Sequence, residues 1–147
     1  MKYIEVTQDL FTAPPDYALV HCISADFALG AGIAVQFQKR YNTRNELRSR
    51  CPNYKFHGGD CLGTGSRGTR AVFNLVTKKH SWQKPTYKDL EDALYELLEV
   101  ANLSGYKKLA MPKIGCGLDG LKWEKVKSII QSVFEWSDME IMICSLK

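Results

Sequence analysis

Residues 111–120 read Met-Pro-Lys-Ile-Gly-Cys-Gly-Leu-Asp-Gly. Two glycines, Gly115 and Gly117, alternate here, and a carboxylate, Asp119, sits where a helix should begin. The apolar run Leu109-Ala110-Met111 leads in, and a helical pattern follows at once. A strand, a glycine-rich turn and a helix start make a natural anion site, because backbone N–H groups approach a phosphate and the helix end adds partial positive charge. The competing reading is a tight turn whose glycines satisfy positive φ. Residues 111–120 alone do not choose between the two. Asp119 likewise suits the N-cap of the following helix. Cys116, inside the turn, has no histidine placed to activate it and reads as a small packed thiol.

Other groups carry the same double meaning. Lys78-Lys79 follow an apolar run and read as a solvated basic strand end or as phosphate contacts. Ser24 is a turn residue or a ligand contact. Gly30 and Gly32 open a helix, either for close packing or for an anion. Residues 63–68, Gly-Thr-Gly-Ser-Arg-Gly, have the look of a phosphate loop, but a strand rather than a helix comes next, so a hairpin turn fits better.

The elements that must position these groups follow from periodicity. Residues 3–6 read as a short strand. Residues 18–23, Ala-Leu-Val-His-Cys-Ile, form a continuous apolar run and read as a central strand buried on both faces. Ile33, Ala34, Phe37 and Tyr41 line one helix face, and residues 44–50 extend it until Pro52. Short strands follow around residues 60–62 and over 71–76. Thr86 and Asp89 suggest a capped helix, with Leu90, Ala93, Leu94, Leu97, Leu98 and Ala101 on one face and Gly105 as its stop. Residues 107–111 give another strand. Trp123, Val126, Ile129, Ile130, Val133 and Phe134 give another helical face, and residues 139–144 a last strand. Trp123, Phe134 and Trp136 read as helix packing, while Trp82 could flank a cleft. Alternating strands and helices imply an α/β fold with a largely parallel sheet, made mixed by the hairpin near 60–75. Ligands collect beyond the carboxyl ends of such strands. Ser24, Gly30, Lys78 and Asp119 all follow strands and would share that rim.

The bulk properties bound the answer. The chain has 147 residues, 45% hydrophobic and 24% charged, with a net charge of +4, which is ordinary for one globular domain over 1–147. Its five scattered cysteines and three histidines show no zinc or disulfide spacing, so no metal and no cofactor is expected. The first residues carry charges where a signal peptide needs an apolar core, and no run is long enough to span a membrane. An intracellular monomer of nucleus or cytoplasm is the expectation.

Taken together, His21-Cys22-Ile23-Ser24, Gly30-Ala31-Gly32-Ile33-Ala34, Leu75-Val76-Thr77-Lys78-Lys79, Lys84-Pro85-Thr86-Tyr87 and residues 111–119 resemble a macrodomain. The nearest branch is the terminal ADP-ribose protein glycohydrolases. The likeness runs from Tyr3 to Leu146. Two departures from the wider family, Ile23-Ser24-Ala25-Asp26 in place of an asparagine pair and Leu118-Asp119 in place of an aromatic, favour the lysine-dependent branch. The resemblance implies a three-layer α/β/α fold around a six-stranded mixed sheet, with an ADP-ribose cleft at one edge. It implies that Asp9 and Leu10 contact the adenine end, with Leu146 near it. Ser24, Gly30 and Gly32 would line the distal ribose. Lys113, Ile114, Gly115, Cys116 and Gly117 would wrap the pyrophosphate, with Leu118 beside them.

The resemblance also implies a reaction: release of ADP-ribose from glutamate or aspartate side chains of mono-ADP-ribosylated proteins. Lys78 would be the nucleophile and Asp119 the acid/base group. O-acetyl-ADP-ribose would be a second substrate, since it also presents an ester on the distal ribose. The requirement on the amine is severe. An ordinary lysine, with a pKa of about 10.4, is neutral in only about one molecule in 2,500 at pH 7. The alternative from the same resemblance is a module that binds ADP-ribose or poly(ADP-ribose) without turnover. A third reading is a nucleic-acid contact through the basic residues between Lys39 and Arg50.

Overall fold

Six apolar runs become one sheet. In the computed structural model, which describes residues 1–65 and 69–146, the strands are β1 (Lys2–Thr7), β2 (Ala18–Ser24), β3 (Asp60–Thr64), β4 (Val72–Lys78), β5 (Lys108–Met111) and β6 (Glu140–Ser145). Their order is β1-β6-β5-β2-β4-β3. Every neighbouring pair is parallel except β3 with β4. The sheet is therefore mixed, and its one antiparallel pair falls where the sequence suggested a hairpin. Residues 66–68 of the suggested turn lie outside the described residues.

Alternate side chains of the central strands feed two helical layers. Ala18 and Val20 of β2, with Leu109, Met111, Ile141 and Ile143, pack under α3 (Tyr87–Ser104) and α4 (Trp123–Phe134). Leu19, Val72 and Ala110 face the other way, toward Phe37 of α1 (Ala34–Tyr41). Ile23 and Val76 meet Leu47 of α2 (Thr43–Arg50) there. Both faces of β2 and β4 are covered, which is why they are continuous apolar runs with no alternation.

Local signals behave as their chemistry requires, with three exceptions. Thr86 caps α3 by accepting from the Asp89 N–H, and Gly105 ends that helix at φ +80°. Residues 44–50 do not extend α1: Asn42 adopts φ +55° and separates α1 from α2. Asparagine tolerates that left-handed geometry, so a polar residue replaced the expected continuation. Asp119 does not begin α4. The helix starts at Trp123 with Lys122 at its N-cap, and Gly120 turns the chain at φ +77° in between. Trp136 is not helix packing either, because it lies past the end of α4 and is 93% exposed.

Polar groups also bridge the sheet interior. His21 of β2 sits opposite Asn74 of β4 and donates its Nε2–H to Asn74 Oδ1 at 2.6 Å. Asn74 Nδ2 in turn donates to Leu62 O and Thr64 Oγ1 of β3. The imidazole stacks on Phe37 at 3.7 Å between centroids, inside the layer under α1. Burial pushes the His21 pKa down to about 4, against the raising effect of the Asn74 contact.

His21 thus stays neutral in the folded chain while it titrates ordinarily in the unfolded one. The unfolded state binds the extra proton between about pH 6.5 and 4, so stability is complete above that window and falls as the pH descends through it. From pH 7 to pH 5 the His21 share of the loss is about 2 kcal/mol. Urea titrations of wild type and His21→Gln at both pH values measure it. The variant keeps a donor for Asn74 and is expected to lose about 2 kcal/mol less on acidification. An equal loss in both proteins would contradict the assignment.

Candidate active site

The parallel strands deliver their carboxyl ends to one rim, and the loops that follow them enclose a cavity of about 570 Å³. Residues 22–24, 29, 31–34, 78, 81–84 and 112–119 contribute to its wall. Lys78 closes β4, and Asp119 lies in the turn after β5. Lys78 Nζ donates to Asp119 Oδ1 at 2.7 Å. The two side chains retain only 14% and 20% of their exposure. An amine and a carboxylate in contact, mostly withdrawn from water and facing a cavity, are placed so that they can exchange a proton.

A shift in strand register places the amine. β2 and β4 pair regularly up to Ile23 with Val76, and then Ser24 faces Lys78, so Thr77 is the extra residue. A bulge of this kind re-aims the side chains beyond it. Ala25 N then donates to Lys78 O at 2.9 Å and fixes the strand end. Lys79, the next residue, is exposed.

The turn that carries Asp119 is closed on itself. Leu121 N donates to Gly115 O at 2.8 Å, and Gly120 N to Gly117 O at 3.2 Å. Gly115 holds φ +72°, and a Cβ there would come within 2.9 Å of Leu121 Cδ1. The N–H groups of Gly115, Gly117 and Leu118 donate no hydrogen bond within the described residues. Across the cavity, Gly32, Ile33 and Ala34 lead into α1, and their N–H groups also donate no hydrogen bond within the described residues. Two sets of backbone donors therefore face one space, which suits an anion. The lips approach each other as well: a Cβ on Gly32 would lie 3.6 Å from Leu118 Cδ1. Lys84 Nζ donates to Leu118 O and ties the loop after β4 to the Asp119 turn.

The structure brings together Ser24, Gly32, Lys78, Lys113, Ile114, Gly115, Cys116, Gly117, Leu118 and Asp119, all of which line this cavity. Lys113 also sets its ammonium over the Trp123 ring at 5.6 Å. Cys116 donates its thiol to Ile114 O at 3.3 Å, and burial raises its pKa. Four anticipated residues lie apart from the lining. Gly30 is exposed beside the α1 turn. Asp9 caps the 3-10 turn Leu10–Thr12 by accepting from Phe11 N. Leu10 is 3% exposed, with its side chain in the core, and Leu146 follows β6 at 73% exposure. The sequence reading gave no site role to Asp26, Ser81 or Lys84. The signal for Asp26 was present: an aspartate two residues past a strand, accepting from the N–H two residues on, is an Asx turn.

A mixed six-stranded sheet between helical layers, with a cavity at the carboxyl ends of its parallel strands, is the architecture of a macrodomain. The Macro domain family matches residues 20–130, and this chain belongs to it. The chain is 41% identical over 141 residues to the ADP-ribose glycohydrolase OARD1 of Bos taurus, covering 96% of this chain and 90% of that protein. It is 32% identical over 132 residues to the DNA ADP-ribosyl glycohydrolase of Mycobacterium tuberculosis, covering 86% of this chain and 37% of that protein. Among solved structures, the macrodomain of Thermus aquaticus DarG matches with a TM-score of 0.86 at 24% identity, over 99% of this chain and 98% of that one.

The two glycines of the anion turn are not equivalent. Gly115→Ala meets both a positive φ and a close neighbour, whereas a Cβ on Gly117 meets nothing within 4 Å. Gly115→Ala is expected to cost about 1–2 kcal/mol of stability and Gly117→Ala about 0.5 or less, read from urea midpoints. Equal costs would mean that the turn does not depend on the Gly115 geometry.

Proposed function

We propose that this chain is a hydrolase that frees ADP-ribose from modified glutamate and aspartate side chains, with Lys78 as nucleophile and Asp119 as acid/base group. One observation carries the reading: the 2.7 Å contact between Lys78 and Asp119 inside the cavity. A module that merely binds a nucleotide has no need of it. The names of the relatives support the same reaction class.

The chemistry follows from the pair. Asp119 takes a proton from the Lys78 ammonium across their hydrogen bond, leaving a neutral amine. The Nζ lone pair attacks the anomeric carbon of the distal ribose. The bond from that carbon to the acceptor oxygen breaks, and its electron pair leaves on the acceptor carboxylate. The departing carboxylate takes the proton that Asp119 had accepted, which leaves Asp119 a carboxylate again and the nitrogen, now bonded to the sugar, a secondary ammonium. In the second half Asp119 takes a proton from water as the water oxygen bonds to the same carbon. The C–N bond breaks, its electrons and a proton return to Lys78, and ADP-ribose is released. O-acetyl-ADP-ribose presents an ester on the same ribose and is the second substrate of this reading.

Binding follows from the donors. The Gly115–Leu118 turn and the start of α1 flank the diphosphate. Lys113, Ile114 and Cys116 wall that stretch, and Ser24 with the Gly30–Gly32 turn meets the distal ribose. Asp9, Leu10 and Leu146, outside the cavity wall, are the residues this reading assigns to the adenine end.

The test compares release of ADP-ribose from a glutamate-linked substrate with ADP-ribose affinity. Lys78→Ala is expected to lower kcat about a thousandfold or more with Kd for ADP-ribose held within about threefold. Asp119→Ala is expected to lower kcat about a hundredfold or more. Parallel loss of turnover and affinity in Lys78→Ala would make Lys78 a binding residue. Binding without release by the wild type would make the chain a reader of ADP-ribose. Release from an ADP-ribosylated oligonucleotide but not from the glutamate-linked substrate would replace the acceptor class.

A further inference from the structure

Asp26 stands in the turn that leaves β2, outside the cavity wall, yet three donors from two loops converge on its carboxylate. Oδ1 accepts the Ser24 hydroxyl at 2.5 Å and the Ala28 N–H at 3.1 Å. Oδ2 accepts the Ser81 N–H at 2.9 Å, from the loop after β4. Burial alone would raise the Asp26 pKa, but the donors of Ser24, Ser81 and Ala28 outweigh it and hold the carboxyl below its ordinary value. It is an acceptor at neutral pH and nothing else.

Two consequences reach the centre. The first concerns the strand end. Beyond the bulge at Thr77, β4 is joined to the β2 side by Ala25 N donating to Lys78 O and by Ser81 N donating to Asp26. Lys78 carries the first attachment on its own carbonyl, and the second follows three residues later at Ser81. The second concerns Ser24, which is 5% exposed and lines the cavity. A hydroxyl owns one proton. Ser24 commits its proton to Asp26, so toward the cavity it offers lone pairs. Whatever meets Ser24 there must donate. A sugar hydroxyl does so, and an ionised phosphate oxygen does not.

We propose that Asp26 is a positioning residue: its Oδ2 holds the segment carrying Lys78, and its Oδ1 turns Ser24 into an acceptor for a ligand hydroxyl. The turnover arm of the test rests on the hydrolase reading above. The labelling arm does not.

Two variants separate the oxygens. Asp26→Asn keeps one acceptor oxygen for Ser24 and Ala28 but sets an NH2 group against the Ser81 N–H. Asp26→Ala removes both acceptors. The first readout is the rate at which a small acylating reagent labels Lys78, measured by peptide mass spectrometry. Lys108 and Lys127, each in an ion pair away from the cavity, are the internal controls. Asp26→Asn is expected to raise Lys78 labelling about threefold or more with the control lysines unchanged. It is also expected to lower kcat about tenfold or more while Kd for ADP-ribose stays within about threefold, because a misplaced nucleophile slows chemistry more than binding. Asp26→Ala is expected to weaken ADP-ribose binding about tenfold as well, through the released Ser24 hydroxyl.

Unchanged Lys78 labelling in Asp26→Asn, or a rise shared by the control lysines, overturns the positioning role. Wild-type affinity in Asp26→Ala overturns the role through Ser24. A wild-type protein without turnover, in which the Lys78 labelling contrast persists, defeats the hydrolase reading and leaves the Asp26 proposal standing.

Discussion

The hydrogen bond between Lys78 and Asp119 is the contact on which the site depends. Its partners lie 41 residues apart in the chain. Neither local propensity nor one helix face could bring them together. What does so is parallel pairing: β5 and β4 flank β2 in the same direction, so their carboxyl ends and the loops beyond them share one rim. The covalent chemistry proposed for the site needs an amine that can shed a proton when substrate arrives. In that proposal Asp119, at 2.7 Å, is the base that takes it, and both side chains keep little exposure to water.

Several supports converge on that contact. From one side, the bulge at Thr77 and the bonds to Ala25 and Asp26 fix the end of β4. From the other, the turn 113–121 closes on itself through Gly115 and Leu121, and Lys84 fastens Leu118, the neighbour of Asp119. Beneath the strand ends, the buried chain from His21 through Asn74 to Leu62 and Thr64 joins β2, β4 and β3 by side-chain bonds. Such buried polar bonds specify one register, because a slip would break each of them. The layer that aligns β2 with β4 is therefore also a layer that aligns Ser24 with Lys78.

Much of this was legible in the residues. Strands buried on both faces announce themselves as unbroken apolar runs, and 18–23 and 71–76 did so. Thr86 and Gly105 marked the ends of α3 through their own chemistry. The turn 111–120 and the Lys78 strand end were visible as chemistry at strand exits. Their pairing came from the family resemblance, since spacing alone left Lys78 a solvated amine and Asp119 a helix cap. The cap reading failed for a local reason: Gly120 reverses the chain, and α4 waits until Trp123. The break at Asn42 was missed because an asparagine inside a helical pattern carries no obligation to turn left-handed. The bulge at Thr77 has no signature in the sequence at all, since register is a property of two strands. Asp26 was legible as a turn residue but not as a bridge, because its second partner, Ser81, is 55 residues away.

The most direct measurement is to look for the covalent intermediate. Wild-type protein is mixed with glutamate-linked ADP-ribosyl substrate, quenched in acid within the first turnover, and examined by intact mass and peptide mapping. The account requires a single ADP-ribosyl adduct on Lys78, absent when Lys78 is replaced by Ala. An adduct on another residue, or release of ADP-ribose by Lys78→Ala at the wild-type rate, would contradict it.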